Sequence, residues 1–405
     1  MKNILIITYW SFNDPLIQTY TLPYVQIIKK NLPPGSKIFL FTLRQKTYAL
    51  PEDEYQRRKK KLEEQNIFLL KADYFPFGVK ALLSSLVYIF KLWRICKRQN
   101  IKFIHAWCTP GGALGYLLSK VTGIPLVIDS YEPHAEPMLE GKTWKKNSFA
   151  YRLLFYLERK QAERAVAVIG LTEGMKDYTR EKFNVELKNY FVKPACVDFA
   201  AFDHTQPLDS SLVKQLRLEN KIVCIYAGKI GGIYLSQEIY EFFKAAYDHW
   251  GDRFRVLFLT KEPLASIQRQ AALSKLPPEV IITTFVDHSQ MSKFMRLANF
   301  GLNPVKPIPS RRHCTSIKDG EYWAMGLPIV ITPGISDDSA IIEQNKIGSI
   351  LKELSPSGYL ACIKEMDFLL KENSREGLAE KISAIGKKYR SFDNAENIYK
   401  KIYAP

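Results

Sequence analysis

No two cysteines of this chain stand at a metal-ligand or redox spacing. Cys96, Cys108, Cys196, Cys224, Cys314 and Cys362 are scattered singly, and none forms CxxC. That excludes a zinc-ribbon or thioredoxin-like site. The N-terminal "MKNILIITYW" runs straight into an apolar stretch without a signal-peptide layout. Free thiols in a reducing cytoplasm are therefore expected. The most apolar segment, "ALLSSLVYIFKLWRICKRQ" at 81–99, is interrupted by Lys91 and Arg94, too short and charged to span a bilayer. It reads as an amphipathic helix with a basic end, packed on a core or lying on a membrane surface. GxSxG, HExxH and the Walker A pattern are all missing, as are RRM-like and zinc-knuckle signatures. No internal repeat or low-complexity tract occurs.

What is present is charge, unevenly placed. The net charge is +17 over 405 residues. Before Asp198 there are 31 Lys and Arg against 17 Asp and Glu, a net of +14; from Asp198 onward the net is +3. A basic first half implies an anionic partner. At about 150 residues per domain the length predicts two or three domains.

Strand and helix signals alternate along the chain. "NILIITYW", "KIFLFTL", "IFLLKA", "IKFIHAW", "PLVIDSYE" and "VAVIGLT" are short apolar runs separated by helical stretches. This pattern predicts a parallel α/β layer. Periodicity fades over residues 192–212, where Pro, Asp and Ser collect, so a linker is expected there. A second alternation follows in "KIVCIYAG", "FRVLFLT", "EVIITTF", "FGLNPV" and "LPIVIT". The expected organisation is an N-terminal domain over 1–195 and a second over 205–390, with a terminal helix at 391–405 packing back on the first. Two such domains would face each other across a cleft, a common ligand site.

Three stretches carry candidate chemistry. In "SIKDGEYWAMGLPIVITPG", residues 316–334, Lys318 and Glu321 lie one turn apart at the start of a helix. A helix N-terminus and a Lys favour phosphate, and a Glu can accept two hydroxyl hydrogen bonds from a ribose diol. A plain surface Lys–Glu pair has the same spacing. "IYAGKIGGIYLSQEIY" places Gly228, Lys229, Gly231 and Gly232 after a strand, where open α/β sheets bind ligands, or simply forms a turn. "FLTKEP", with Lys261, is a weaker strand end of the same kind. "VIDSYEPHAEPM" surrounds His134 with Asp129, Glu132 and Glu136, a setting that can tune an acid/base group or orient a sugar hydroxyl.

Together these stretches resemble a GT-B glycosyltransferase of the large retaining family 4 type. The resemblance rests on "SIKDGEYWAMGLPIVITPG", which looks like the family's donor signature, K-x-x-E-[YA]-x-A-x-G-x-P-V. "YAGKIGG" and "FVDHSQMSKFMRLANFGLNPV" support it, over roughly residues 222–350. The first half matches by layout and by "IHAWCTPGGALGYLLSKVTGIPLVIDSYE". The resemblance implies a donor nucleotide sugar on the second domain. Lys229 and Lys318 would hold its diphosphate, with Gly228 beside them. Glu321 would hold the ribose; Phe285 and Val286 would lie near the base, with Lys261 at the site; His134 would sit near sugar and acceptor. Two departures stand out. His313 occupies the family's first acidic position, with Arg311 and Arg312 beside it as added positive charge. "SFNDPLIQTY" replaces the glycine-rich loop after the first strand.

The resemblance further implies transfer with retention, the leaving diphosphate being stabilised by lysines rather than by a required metal or other cofactor. A glycan or lipid-linked acceptor in surface polysaccharide or glycolipid assembly is expected, at the cytoplasmic face of an anionic membrane, with no nucleic acid as partner. Three other readings stay open: a GT-B nucleotide-sugar epimerase, a non-catalytic basic nucleic-acid-binding protein, and a transferase that has lost its activity.

Overall fold

The apolar runs become strands because both of their faces are covered. Residues 4–7 and 38–41 are almost wholly buried, as parallel strands sandwiched by helices are. The computed structural model describes residues 1–403. Its contacts divide the chain into two units, Met1–Pro194 with the chain from Asp393 on, and Ala195–Phe392.

The first unit holds seven parallel strands: β1 (Asn3–Ile7), β2 (Ile38–Arg44), β3 (Ile67–Asp73), β4 (Ile101–Trp107), β5 (Leu126–Tyr131), β6 (Ala167–Gly170) and β7 (Tyr190–Val192). Their order is β3-β2-β1-β4-β5-β6-β7. The second unit holds six: β8 (Ile222–Ala227), β9 (Phe254–Leu259), β10 (Ile281–Thr284), β11 (Phe300–Asn303), β12 (Ile329–Ile331) and β13 (Gly348–Ile350). Their order is β10-β9-β8-β11-β12-β13, and every named strand pair is parallel. Both sheets are doubly wound α/β layers, as expected. In each, strand order reverses beside the first strand, the place where such sheets bind ligands beyond their carboxyl ends.

The last helix, Phe392–Tyr403, returns to the first sheet, also as expected. Tyr399 Oη donates to Asp129 Oδ2 on β5 at 2.6 Å, and Tyr403 Oη lies 2.6 Å from His105 Nδ1 on β4. Lys193 Nζ, fully buried, lies 3.1 Å from Asp129 Oδ1. Asp129 is thus a partner in the core and not a group free to tune His134.

Two features add detail to the sequence reading. The stretch 192–212 is more ordered than a linker. It contains the unit boundary, a parallel bridge from Val197 to Ser391, and a helix, Ser210–Gln215, capped by the Asp209 side chain. The long helix, Val79–Arg98, buries only Leu92 and Cys96 fully. Its first half leaves a row of large apolar side chains in solvent.

Candidate functional site

The site in the second unit is built where β8, β9 and β10 end. After Ala227 the chain turns at Gly228, whose φ of +147° favours glycine. A Cβ there would stand 2.9 Å from Lys318 Nζ, so a bare backbone is what lets the lysine in. Tyr226 Oη donates to the Lys229 carbonyl and pins the turn.

The helix Ile317–Ala324 supplies the facing wall. Its back is anchored by burial of Asp319, Tyr322 and Trp323. Tyr322 Oη accepts from Ala227 N at 3.2 Å, and Asp319 Oδ2 accepts from Asn303 Nδ2 at 2.8 Å. Burial first, then Asp338, pushes the Asp319 carboxyl well up. With those residues held, Lys318 and Glu321 line one pocket of about 340 Å3.

Lys318 Nζ is buried and donates to no hydrogen-bond acceptor among the described residues. Two aromatic faces surround it, with Tyr234 at 3.9 Å and Tyr226 at 5.0 Å from ring centroid. Cation–π contact offsets part of the lost hydration. Its N–H donors are left without an acceptor beside the pocket that Lys318 lines, and an anion there would satisfy them.

Glu321 is 5% exposed and is not bare. His288 Nε2 lies 2.8 Å from Glu321 Oε1. The imidazole is raised above its ordinary 6.5, first by that hydrogen bond to Glu321. Protonation and the ion pair are therefore complete below about 6.5 and lost as pH rises through the raised value. Followed by NMR, the His288 ring should titrate above 6.5 in the wild type and fall back in Glu321→Gln. An unchanged midpoint in that variant would dissolve the pair.

The remaining candidates close the pocket. Gly228, Lys229, Lys261, Phe285 and Val286 all line it. Lys261 Nζ sits 4.5 Å above the half-exposed Phe285 ring. The seven donor-site candidates, Gly228, Lys229, Lys261, Phe285, Val286, Lys318 and Glu321, are thus brought together.

The added positive charge expected beside the signature does not join them. Arg311, Arg312 and His313 form a separate turn, Pro309–His313, outside the pocket walls. There Arg312 Nε donates to His313 Nε2 at 2.9 Å, so the turn directs this charge at its own histidine. His134 belongs to the first unit. Its backbone N–H donates to the Glu158 carboxylate, and its Nδ1 lies 3.3 Å from the Glu132 carbonyl. Burial above all raises the Glu158 carboxyl to about 8, against the hydrogen bonds from His134 and Ala135. Glu136 pairs with Lys182 at 2.8 Å and so faces away from an acid/base role.

Sequence reading missed His288, Tyr226 and Tyr234. His288 stands inside "FVDHSQ", the stretch that carries the donor-side resemblance. The tyrosines flank the glycines of "IYAGKIGGIY", yet a Tyr there reads as ordinary core.

Comparison with known proteins bears on the fold and on the first unit. Residues 40–195 match the model of the glycosyl transferase 4-like domain. No curated protein matches by sequence. HepE of Anabaena in complex with UDP superposes with a TM-score of 0.71 at 14% identity, over 99% of this chain and 98% of that one. Sucrose-phosphate synthase from Thermosynechococcus elongatus gives 0.72 at 13%, over 100% and 98%. WaaG, a glycosyltransferase involved in lipopolysaccharide biosynthesis, gives 0.70 at 12%, over the whole of both chains. At such identities the likeness speaks to the fold. The chain has the fold of the GT-B glycosyltransferases, and its residues 40–195 are similar to the glycosyl transferase 4-like domain.

Proposed function

We propose that this protein transfers a sugar from a nucleotide-sugar donor to a glycan or lipid-linked acceptor with retention of configuration. The observation that carries the reading is the unpartnered, buried Lys318 ammonium facing the same pocket as Glu321. Diphosphate would supply the missing acceptors, and the ribose diol would share the Glu321 carboxylate with His288. Phe285 offers an exposed ring at the pocket edge for the base. A uridine donor is favoured, since HepE, of the same fold, was solved with UDP and with UDP-glucose.

In the proposed step the bond from the anomeric carbon to the diphosphate breaks, and its electron pair stays on the leaving oxygen. The acceptor oxygen bonds to the same face of that carbon. Its proton passes to the leaving phosphate. Lys318 and Lys229 stabilise the charge as it develops, without a required metal. His134 is retained as the acceptor-side candidate. An anionic membrane surface is the proposed setting of the acceptor, motivated by the +14 of the first half. No helix among the described residues is long and apolar enough to cross a membrane.

A thermal-shift panel of UDP-, GDP-, ADP- and CMP-sugars tests the reading. One nucleotide should stabilise the protein by about 2.7 kcal/mol at a hundredfold excess over Kd. Glu321→Ala should weaken that binding by roughly 1.5–3 kcal/mol. No shift with any donor would remove the transferase reading, and donor turnover to an epimer without acceptor would replace it.

A further inference from the structure

The first unit contains a second cavity, of about 360 Å3, with a different chemistry. It lies beyond the carboxyl ends of β1 and β3, the ligand side of an open parallel sheet. Its walls are largely hydrocarbon, with Ile7, Leu82, Ile89, Leu114, Leu117 and Leu157 among them. Polar groups in the wall are engaged elsewhere. Thr8 Oγ1 donates to the Phe41 carbonyl at 3.0 Å, Ser85 Oγ to Ala81 O at 2.8 Å, and Tyr88 Oη to Asp73 O at 2.6 Å. A volume of this size suits a small ligand, and walls of this kind suit an aliphatic one.

The rim shows where such a ligand would come from. Leu83, Leu86 and Phe90 of the helix Val79–Arg98 are 60%, 64% and 56% exposed. Exposed apolar rows of this kind mark a binding surface. Cations border it: Arg94 lies against the Phe90 ring, and Lys97 Nζ is 4.3 Å above Trp93. Phe77 meets Trp144 with ring centroids 5.8 Å apart. That contact brings the Lys142, Lys145 and Lys146 loop beside the helix start. Among the described residues none of these three lysines, nor Lys91 or Arg94, forms an ion pair, so their charge is available to an anionic partner. An apolar row framed by basic residues is the pattern of an interfacial helix on anionic lipid.

We propose that this cavity takes one aliphatic chain of a lipid from an anionic bilayer, with the bordering cations set against the headgroups. On the transferase reading above, on which this last step rests, that lipid is the acceptor. An aliphatic chain in the cavity would hold the lipid by its tail and leave its headgroup at the carboxyl edge of the sheet.

The test uses the full chain and vesicles of phosphatidylglycerol and phosphatidylcholine. A trace of the phosphatidylcholine carries a diazirine in its acyl chain. After irradiation, adducts should map to the cavity walls, residues 110–117 and 153–157. They should fall on the order of tenfold or more in Ala113→Phe, which fills the cavity, and in Leu83→Glu, which sets a charge at its mouth. Nucleotide-sugar stabilisation should be unchanged in both. If Ala113→Phe fails to fold, Leu83→Glu decides, because that side chain is in solvent. Adducts confined to the outer face of residues 82–94, none at all, or wall adducts undiminished in the folded variants would each overturn the cavity. Wall adducts on a protein that binds no nucleotide sugar would keep the cavity and remove the transferase reading. Donor binding without wall adducts would do the reverse.

Discussion

Lys318→Met should lower turnover by about 10²–10³-fold while leaving thermal stability equal or higher. The two halves of that expectation have one cause. The Lys318 ammonium is buried, has no hydrogen-bond acceptor among the described residues, and is only partly compensated by Tyr234 and Tyr226. An unpaired charge out of water destabilises the fold. Methionine keeps the chain length and packing between the rings and removes the charge, so the fold loses a cost. The developing diphosphate charge loses a preorganised, poorly hydrated cation, which is worth most where water is excluded. Lys229→Met should have a smaller effect, because that side chain is exposed and its field is screened by solvent. Steady-state kinetics with the donor from the thermal-shift panel, beside unfolding curves, checks both halves. Near-normal turnover in both variants would move the diphosphate elsewhere. Lost turnover with lost stability would make Lys318 a packing residue.

The site was legible where it depended on local spacing. Lys318 and Glu321 lie on one side of a helix because three residues make nearly a turn, and Gly228 follows a strand because a turn must begin there. What completes the site does not show in spacing. His288 reaches Glu321 across 33 residues, and Tyr226 and Tyr234 meet Lys318 from another strand end. Only the sheet order brings these together. The fold behaved alike. "KIVCIYAG" declared itself because residues 223–227 are buried on both faces. β7 and β13 have three residues each, too few to show a period. The helix Val79–Arg98 announced its amphipathicity but not which apolar side met the core. Leucines and aromatics occupy both sides, and only Leu92 and Cys96 are fully covered.

Asp129→Ala should destabilise the first unit by about 3–5 kcal/mol, the usual effect of breaking a buried ion pair from one side. Asp129 and Lys193 are both fully buried. Without the carboxylate, the buried Lys193 ammonium loses its paired charge beside the Tyr24 ring, which lies at 3.7 Å, and Tyr399 loses the acceptor of its hydroxyl. That hydroxyl belongs to the helix Phe392–Tyr403, so hydrogen exchange there should quicken first. Lys193→Met should be nearly as damaging, since it strands the carboxylate. The double change to Asp129→Leu with Lys193→Met should cost less than the two singles added, because no charge is left behind. Acid gives an independent check. Burial alone would raise the Asp129 carboxyl, but Lys193, with His105 and Tyr399, lowers it from 3.8 to about 2. A depressed carboxylate contributes its stability above the unfolded value and loses it as pH falls through the folded one. The wild type should therefore shed on the order of 2 kcal/mol between about pH 4 and pH 2 through this group. Urea unfolding at stepped pH should show that loss shrinking in Asp129→Ala. An equally steep acid limb in the variant would assign it to other carboxylates.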